Sequence, residues 1–449
     1  QAVSASFIPR AGHRPSSAGS EGGARAMAAG GAQRLRVAVA GGGPGGLCIA
    51  IGLAQQGHDV VVLDRLESPL ARGTINRDRS YPVDIYGSGL LALKKLGAAD
   101  EGMPLRRRLL DFKGHLHEGD FGRREPPKDT WEEGLIGTRD DIVLGLQEHV
   151  AQCRSQWPGS ISIVHGVDVT GVDLKGRTLA VAEGSGAEAE AAARGPFDLI
   201  CACDGKHSKV RDSAAAQDPE LVITTREGRA VGEQRYKTVN CDKVDDKSGS
   251  NEELLKPGWL YNYHGAEVAR MPAGGAIGIV AIWGERDLQP GMLKERFPRL
   301  MPLITAEEEA AYDARPVQDT SGGFVCSQVI AGDCVALVGD CTCTPPPPGM
   351  GCNHAFQAAW SLVEALAKPG ACEDVAATLR AYNEQRVPLE RKYAASSLSE
   401  KFWWHVAAPM MAFFGGFNFG AVFLPFHYMM SPLLEVIKMC VAKGPTEKY

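Results

Sequence analysis

The sequence predicts an α/β fold built around a mostly parallel sheet, with a second β-sheet inserted into it and an apolar helical segment at its end. Three features carry that expectation: a β-loop-α-β unit near residue 35, two later apolar runs ending in Asp and Gly, and an uncharged stretch after residue 405. The first is the sharpest. Leu35-Arg-Val-Ala-Val-Ala40 is a short β-type run, Gly41-Gly-Gly-Pro-Gly-Gly46 follows, an apolar helix pattern continues to Gln56, and residues 59–64 read as the next strand. The spacing Gly41-x-Gly43-x-x-Gly46 meets three demands: a tight turn, backbone close to a pyrophosphate, and a helix packed on a strand. Backbone N–H groups at the helix start then face phosphates. Asp64, about 20 residues further on, stands where a carboxylate accepts from ribose hydroxyls. The unit therefore predicts a Rossmann-type dinucleotide site, although this fingerprint does not choose between NAD and FAD.

Residues 197–203 and 334–338 are continuous apolar runs suited to strands buried on both faces of a parallel sheet. They end at Asp204-Gly205 and Gly339-Asp340, where an open α/β sheet places its ligands. Between them, residues 216–330 turn to mixed polar and β-type text, including residues 276–283, and read as an inserted sheet able to roof a substrate. Helical patterns follow at 355–366 and from Thr378 to about Lys401, and no internal repeat is present.

At 449 residues, 44% hydrophobic and 23% charged, the chain has material for two compact domains sharing an interface. A net charge of -6 gives no basic face for a nucleic-acid partner, so the expected ligand is small. The 12 cysteines are scattered singly or as C-x-C pairs (Cys201/Cys203 and Cys341/Cys343) and are expected reduced, the pairs acting as small buried hydrophobes and no metal being bound. Residues 1–33 hold Glu21 as their only acid and have the composition of an organelle transit segment. Ala5-Ser6-Phe7-Ile8-Pro9 resembles a plastid-import junction, with a disordered tail, or a start at Met27, as the alternatives.

From Val406 to Met430 no side chain is formally charged, and Trp403-Trp404 and Tyr428 flank the stretch as interfacial aromatics do. Pro409, Gly415-Gly416, Asn418, Pro425 and His427 interrupt it. A monotopic or re-entrant membrane anchor is therefore the leading expectation, ahead of a buried core segment and of a straight spanning helix.

Asp204-Gly-Lys-His-Ser208-Lys-Val-Arg211 resembles the Asp-Gly motif of the p-hydroxybenzoate hydroxylase superfamily of FAD-dependent monooxygenases. Gly339-Asp340, followed by Pro345–Pro348, Gly349-Met-Gly351 and Asn353, resembles its Gly-Asp motif. Within that superfamily the chain is similar to kynurenine 3-monooxygenases at Arg77-Asp-Arg79-Ser80, Ala92-Leu-Lys-Lys-Leu-Gly97, Met103-Pro-Leu-Arg-Arg-Arg108, Thr138-Arg139-Asp140, Phe297-Pro-Arg-Leu-Met-Pro-Leu-Ile304 and Arg386-Val-Pro388.

The resemblance implies a p-hydroxybenzoate hydroxylase-like FAD-binding domain formed by residues 34–110, 136–215 and 331–400. Residues 111–135 and 216–330 would form the substrate domain, residues 1–33 a transit or disordered segment, and residues 401–449 membrane-associating helices. It implies FAD held by Gly41, Gly43, Gly46, Asp64, Arg139, Asp204, Gly205, Gly339, Asp340 and Gly351. Pro346, Pro347, Gly349 and Asn353 would lie against the flavin as the catalytic turn. NADPH would reduce the flavin, dioxygen would add as a C4a-hydroperoxide, and oxygen would pass to an aromatic ring or a double bond.

By position Arg108 matches the family arginine that pairs with a substrate carboxylate, a role suited to guanidinium, unless it belongs to a solvated strand face. The family tyrosine that assists it appears as Phe121, which has no hydroxyl. Cys341-Thr342-Cys343 replaces the customary Ala-Ala-His, and Gln357-Ala358 stands where the family carries an acid. A pocket that loses hydrogen-bond donors leaves a polar amino acid poorly satisfied, so kynurenine is not the expected substrate. His354 has two readings, a structural residue at a helix start or a proton relay. Two further functions stay open: a flavin oxidoreductase that inserts no oxygen, and a degenerate flavin-binding protein on a membrane. The expected locations are a plastid membrane or, alternatively, the mitochondrial outer membrane.

Overall fold

The computed structural model describes residues 33–72, 80–117, 133–225, 235–243, 255–263, 265–272, 274–282, 284–319, 322–344 and 350–402. Its central sheet is dictated by short runs of small and β-branched residues buried on both faces. Arg36–Ala40 lies between Leu199–Ala202 and Asp59–Asp64, all parallel, with Val335–Leu337 beyond the first and Ser160–His165 beyond the second. Ile330–Ala331 closes one edge antiparallel. Period-two alternation splits each strand between two cores. Val37 and Val39 face the helices Pro44–Gln55, Arg139–Cys153 and Gly351–Leu366, through Leu47, Ile51, Ile142, Phe356 and Leu362. Ala38 and Ala40 face Val172, Leu179 and Val210 on the opposite side.

The register decides where ligands can go. Ala40 pairs with Ala202, and Ala202 with Leu337, so three neighbouring parallel strands end level with one another. The turns that follow them begin at Gly41, Cys203 and Val338.

A second sheet of six strands runs in the order Gln318–Asp319, Arg235–Cys241, Ala276–Ile282, Ala266–Arg270, Trp259–Tyr263 and Gly114–His117. All pairings are antiparallel except the last, in which Gly114–His117 joins from a distant part of the chain. One face packs on Phe297, Leu303 and Tyr312. The other face meets a three-stranded sheet, Pro82–Tyr86, Gly134–Thr138 and Leu110–Asp111, through Phe112, Ile136, Leu260, Ala269 and Ile277. Tyr81 sits edge-on to Tyr236 across the same junction, with ring centroids 6.1 Å apart.

Asp84, 7% exposed in the Pro82–Tyr86 strand, titrates abnormally: burial first, and the nearby Glu267 second, push its carboxyl up to about 6. The folded protein thus holds this proton to higher pH than the unfolded chain does. Stability from this group therefore falls as pH rises from about 4 to 6 and stays lower above that. Asp84→Asn should match the wild type near pH 4 and exceed it by about 2–3 kcal/mol at pH 7.5 in urea unfolding. Parallel pH profiles for the two proteins would contradict this.

Two expectations are adjusted. Residues 104–108 form a short helix, Pro104–Arg108, and not a strand face, because Pro104 starts it at a position that needs no N–H donor. The second long helix spans Val375–Phe402 and carries Pro388 inside it. Among the described residues no helix is long and apolar enough to cross a membrane. Of the membrane-associating segment expected at 401–449, residues 403–449 lie outside the described residues, as do residues 1–32 of the transit segment expected at 1–33.

Candidate functional site

Each glycine of the first turn has its own steric reason. Gly41 has φ +101°, a Cβ on it would come within 2.4 Å of the Cys203 carbonyl oxygen, and its N–H donates to the Leu63 carbonyl at 2.8 Å. At Gly46 a Cβ would stand 2.0 Å from the Gly41 carbonyl oxygen, so helix Pro44–Gln55 can lie this close to its strand only through a hydrogen. Gly43 is different. A Cβ there would meet only the Arg139 guanidinium, at 3.5 Å, which leaves its backbone open to a ligand. Arg139 opens its helix because Thr138 caps it: Thr138 Oγ1 accepts from the Asp141 N–H at 3.0 Å, and Asp141 accepts in return from the Thr138 N–H at 3.1 Å. Asp64 accepts from the Gly42 N–H at 2.6 Å and the Leu66 N–H at 2.7 Å, fixing the turn while its carboxylate keeps lone pairs for a ribose.

The other two turns close onto the same place. The Asp204 Cα lies 3.0 Å from the Cβ that Gly41 would carry. Gly339 (φ +73°) and Gly45 each approach the Ala355 methyl, at 3.1 and 3.3 Å from the Cβ they would carry, so the first and third turns meet at the start of helix Gly351–Leu366 while the second lies against the first. Gly205 (φ +84°) has open space beside it, and Gly351 is the first residue of that helix. Asp204 accepts from the Val210 N–H at 3.2 Å through Oδ2, but its Oδ1 is sealed without a partner among the described residues. Asp340 Oδ1 is also sealed without a partner among the described residues; burial, partly offset by His354 and Arg139, raises its carboxyl, and burial foremost raises that of Asp204. A sealed acceptor with no donor costs about 1–3 kcal/mol. Two of them at one end of a sheet fit a ligand rich in hydroxyls that lies along the turns, as the ribityl and ribose parts of FAD are.

Residues 159–397, over half of the chain, match the family described as FAD binding domain, and residues 39–96 match an NAD(P)-binding Rossmann-like domain. The chain belongs to the FAD-binding-domain family. Kynurenine 3-monooxygenase of Salinispora arenicola is 27% identical over 185 residues, 40% of this chain and 38% of that protein, so the chain spans about two fifths of that relative's length. Among solved structures, 2-methyl-3-hydroxypyridine-5-carboxylic acid oxygenase aligns over 88% of this chain and 95% of its own, with a TM-score of 0.57 at 20% identity. p-Nitrophenol 4-monooxygenase from Pseudomonas putida aligns over 83% and 89%, with a TM-score of 0.55 at 19% identity. At such identities these two establish the shared fold.

Not every residue expected at the site of this FAD-binding domain is used as expected. Asn353 is buried, its Oδ1 accepts from the Tyr86 N–H at 3.0 Å, and its Nδ2 donates to the Asp84 carbonyl at 2.9 Å. Its amide fastens the helix start to the Pro82–Tyr86 strand, which makes it a positioning residue where a catalytic one was expected. Arg108 is engaged within the protein. Its Nε and Nη2 grip Glu148 at 2.8 and 2.5 Å on the Arg139–Cys153 helix, so the fork meant for a substrate carboxylate is already filled. Because both side chains are about one-third exposed, Arg108→Ala should cost no more than about 1 kcal/mol in urea unfolding and leave flavin retention unchanged. Pro346, Pro347, Gly349 and Phe121 lie outside the described residues.

Sequence reasoning missed Glu390. On helix Val375–Phe402 it is 1% exposed and accepts from Arg386 Nε at 2.5 Å, Thr342 Oγ1 at 2.9 Å and Cys343 Sγ at 3.2 Å, and it meets His354 Nε2 at 2.7 Å. Burial alone would raise this carboxyl, but His354 and Arg386 override it and hold it well below the usual range. The cluster ties the Gly-Asp turn and the start of helix Gly351–Leu366 to the last described helix. Cys343 is thus a polar partner and not the inert hydrophobe expected of its C-x-C pair. The ligand atoms of Cys343, His354 and Glu390 lie within 4.8 Å of one another. The Arg386 cation on the same carboxylate opposes a dication there, and hydrogen bonding accounts for the geometry. The one sequence signal for Glu390 was its i,i+4 spacing from Arg386.

Proposed function

We propose that this chain is an FAD-dependent monooxygenase that uses NADPH and dioxygen to hydroxylate or epoxidise an aromatic or apolar small molecule. The observation that carries the reading is the convergence of Gly41, Asp204 and Gly339-Asp340 at the level ends of three neighbouring strands, with two sealed carboxylate oxygens awaiting donors. FAD, when bound, would supply the redox chemistry by which NADPH, a proton and dioxygen give NADP+, water and one oxygen atom inserted into the substrate. The chain's own residues do the rest. Gly43 and the N–H groups opening helix Pro44–Gln55 receive the pyrophosphate with Arg139 beside them, and Asp204 and Asp340 accept from sugar and ribityl hydroxyls. The amides opening helix Gly351–Leu366 favour negative charge on the reduced ring. The apolar junction of the second six-stranded sheet and the three-stranded sheet excludes water from the reacting region.

The substrate class follows from what is lacking. Arg108 is committed to Glu148, and Phe121 has no hydroxyl, so the pair that would clamp an amino-acid carboxylate is not available. An apolar substrate agrees with the uncharged stretch at 406–430, through which we infer attachment to an organelle membrane, a plastid membrane foremost. The test is direct. Purified protein should carry a flavin absorption spectrum, and a panel of aromatic and isoprenoid compounds should contain one that raises NADPH consumption at least tenfold while labelled dioxygen appears in the product. Stimulated turnover that persists without oxygen would sink the monooxygenase reading in favour of an oxidoreductase.

A further inference from the structure

The strand Pro82–Tyr86 divides its side chains between two neighbours. Asp84 pairs with Ile136, so both point at the second six-stranded sheet, whereas Val83 and Ile85 are buried in the core shared with helices Pro44–Gln55 and Gly351–Leu366. Asn353 fixes the strand to the start of the second of these helices, through the Tyr86 N–H and the Asp84 carbonyl. Tyr81 stands two residues ahead of Val83 and keeps to the Val83 side. It packs against the same core as Cys203, where the second turn begins, and Cys352, at the helix start. Yet its ring is also edge-on to Tyr236 of the second sheet, with planes at 79°. Tyr81 therefore sits at a seam, with the turns on one side and the inserted sheet on the other.

The charged neighbours of its phenol belong to the cradle. Burial foremost, and then Tyr236, push the phenol up; Arg139 draws it down, and Asp340 and Cys352 raise it. Arg139 is the guanidinium that stands at Gly43, and Asp340 is the carboxyl of the Gly-Asp turn, so parts of the first and third turns both lie around this ring. Tyr86 differs, because the charge that acts on it is Asp84, on the side of the inserted sheet. A phenol pushed up stays protonated at neutral pH and serves as a donor. The Tyr81 hydroxyl has no hydrogen-bond partner among the described residues, and the side chain is half-buried, not sealed. A deep donor that is uncharged, unspent and still accessible suits a ligand with acceptor atoms, and an isoalloxazine ring carries carbonyl oxygens and bare nitrogens.

We propose that Tyr81 is a cofactor-contact residue, its hydroxyl donating to the flavin ring while its own ring, edge-on to Tyr236, closes the cradle off from the inserted sheet. The inference rests on the FAD reading above. Tyr81 is then the wall that flavin meets on one side and substrate on the other, and its size sets how near the two can come.

The experiment compares the fluorescence of bound FAD in the wild type, Tyr81→Phe and Tyr236→Phe at equal flavin absorbance, with FAD affinity read by titration. An excited flavin takes one electron from a phenol in contact with it and gives it back, which darkens the flavin and consumes nothing. A phenyl ring does not give that electron. Tyr81→Phe should bind FAD about threefold to tenfold more weakly, for one lost hydrogen bond, and fluoresce about twofold or more above the wild type. Tyr236→Phe should match the wild type in both. Unchanged brightness or unchanged affinity in Tyr81→Phe overturns the proposal, as does an equal brightening in Tyr236→Phe. Should Tyr81→Phe retain no FAD, Tyr81→Trp decides: an indole against the flavin gives a dark cofactor with a long-wavelength charge-transfer band, and a bright one without that band overturns the proposal. If neither retains it, the brightness of the wild type decides, a dark flavin supporting the contact. A wild type that takes up no FAD overturns this inference and the functional reading together, whereas a yellow wild type with bright flavin overturns this one alone.

Discussion

Gly46→Ala will strip FAD from the protein and destabilise the fold by about 3 kcal/mol or more, the upper end for an overpacked site. The added methyl would stand 2.0 Å from the Gly41 carbonyl oxygen and 3.2 Å from Val39 Cγ1. Neither can yield cheaply. Gly41 is pinned by its N–H to Leu63 and by the carbonyl of Cys203 against its Cα, and Val39 is packed inside the sheet. The helix must instead lift from its strand, carrying the phosphate-facing amides with it. Gly43→Ala makes the matched control, since its methyl meets only the Arg139 side chain at an ordinary 3.5 Å. That variant should unfold within about 1 kcal/mol of the wild type, yet bind FAD at least tenfold more weakly because the methyl occupies the cradle. Urea unfolding and flavin fluorescence separate the two. If both variants lose stability equally, the turn is a packing device and its role in the cofactor site is wrong.

The difference between these two glycines also marks how far the sequence could be read. The glycine turn was legible because its constraints are local: strand Arg36–Ala40, helix Pro44–Gln55 and strand Asp59–Asp64 fall within three residues of where periodicity and turn chemistry put them. The two Asp/Gly turns were legible for a related reason, since continuous apolar runs such as Leu199–Ala202 belong to strands covered on both sides, and such strands deliver their following turns to one edge. The strand Ala276–Ile282 was read to within a residue on the same grounds.

What failed was pairing between distant elements. Arg108 and Glu148 are separated by 40 positions, and Asn353 and Tyr86 by 267. A sequence motif can supply a guanidinium or an amide at the right place in the chain, but not the partner that the packed fold puts in front of it. Both residues were assigned to ligands because their chemistry suits ligands, and both turned out to be held by the protein itself. The reverse happened with Glu390, to which the sequence reading gave no role, and with His354, read as a structural helix-start residue or a proton relay. Their burial comes only from the packing of helix Val375–Phe402 behind the Gly-Asp turn.

Glu390→Ala tests whether that packing depends on charge. Arg386 is 1% exposed, and Glu390 is the only carboxylate bound to it among the described residues. Removing one partner of a buried pair leaves the other charge without compensation, at a cost of about 3–5 kcal/mol. Here Cys343 Sγ and His354 Nε2 lose their acceptor as well, so the loss should sit at the upper end. Glu390→Gln keeps the shape and some of the hydrogen bonds but still leaves the guanidinium without a counter-charge, and should fall between the two. The pH dependence has a definite sign. The folded carboxyl is held well below its ordinary range, so the unfolded chain binds the proton first as pH falls. The gap between wild type and Glu390→Ala should therefore be constant from about pH 5 to 8 and shrink steadily below about 4, where the wild type loses what the carboxylate contributed. Thermal or urea unfolding across that range measures it. A gap that widened in acid would mean that Glu390 is protonated in the folded state, and the ionised hub at the back of the Gly-Asp turn would have to be abandoned.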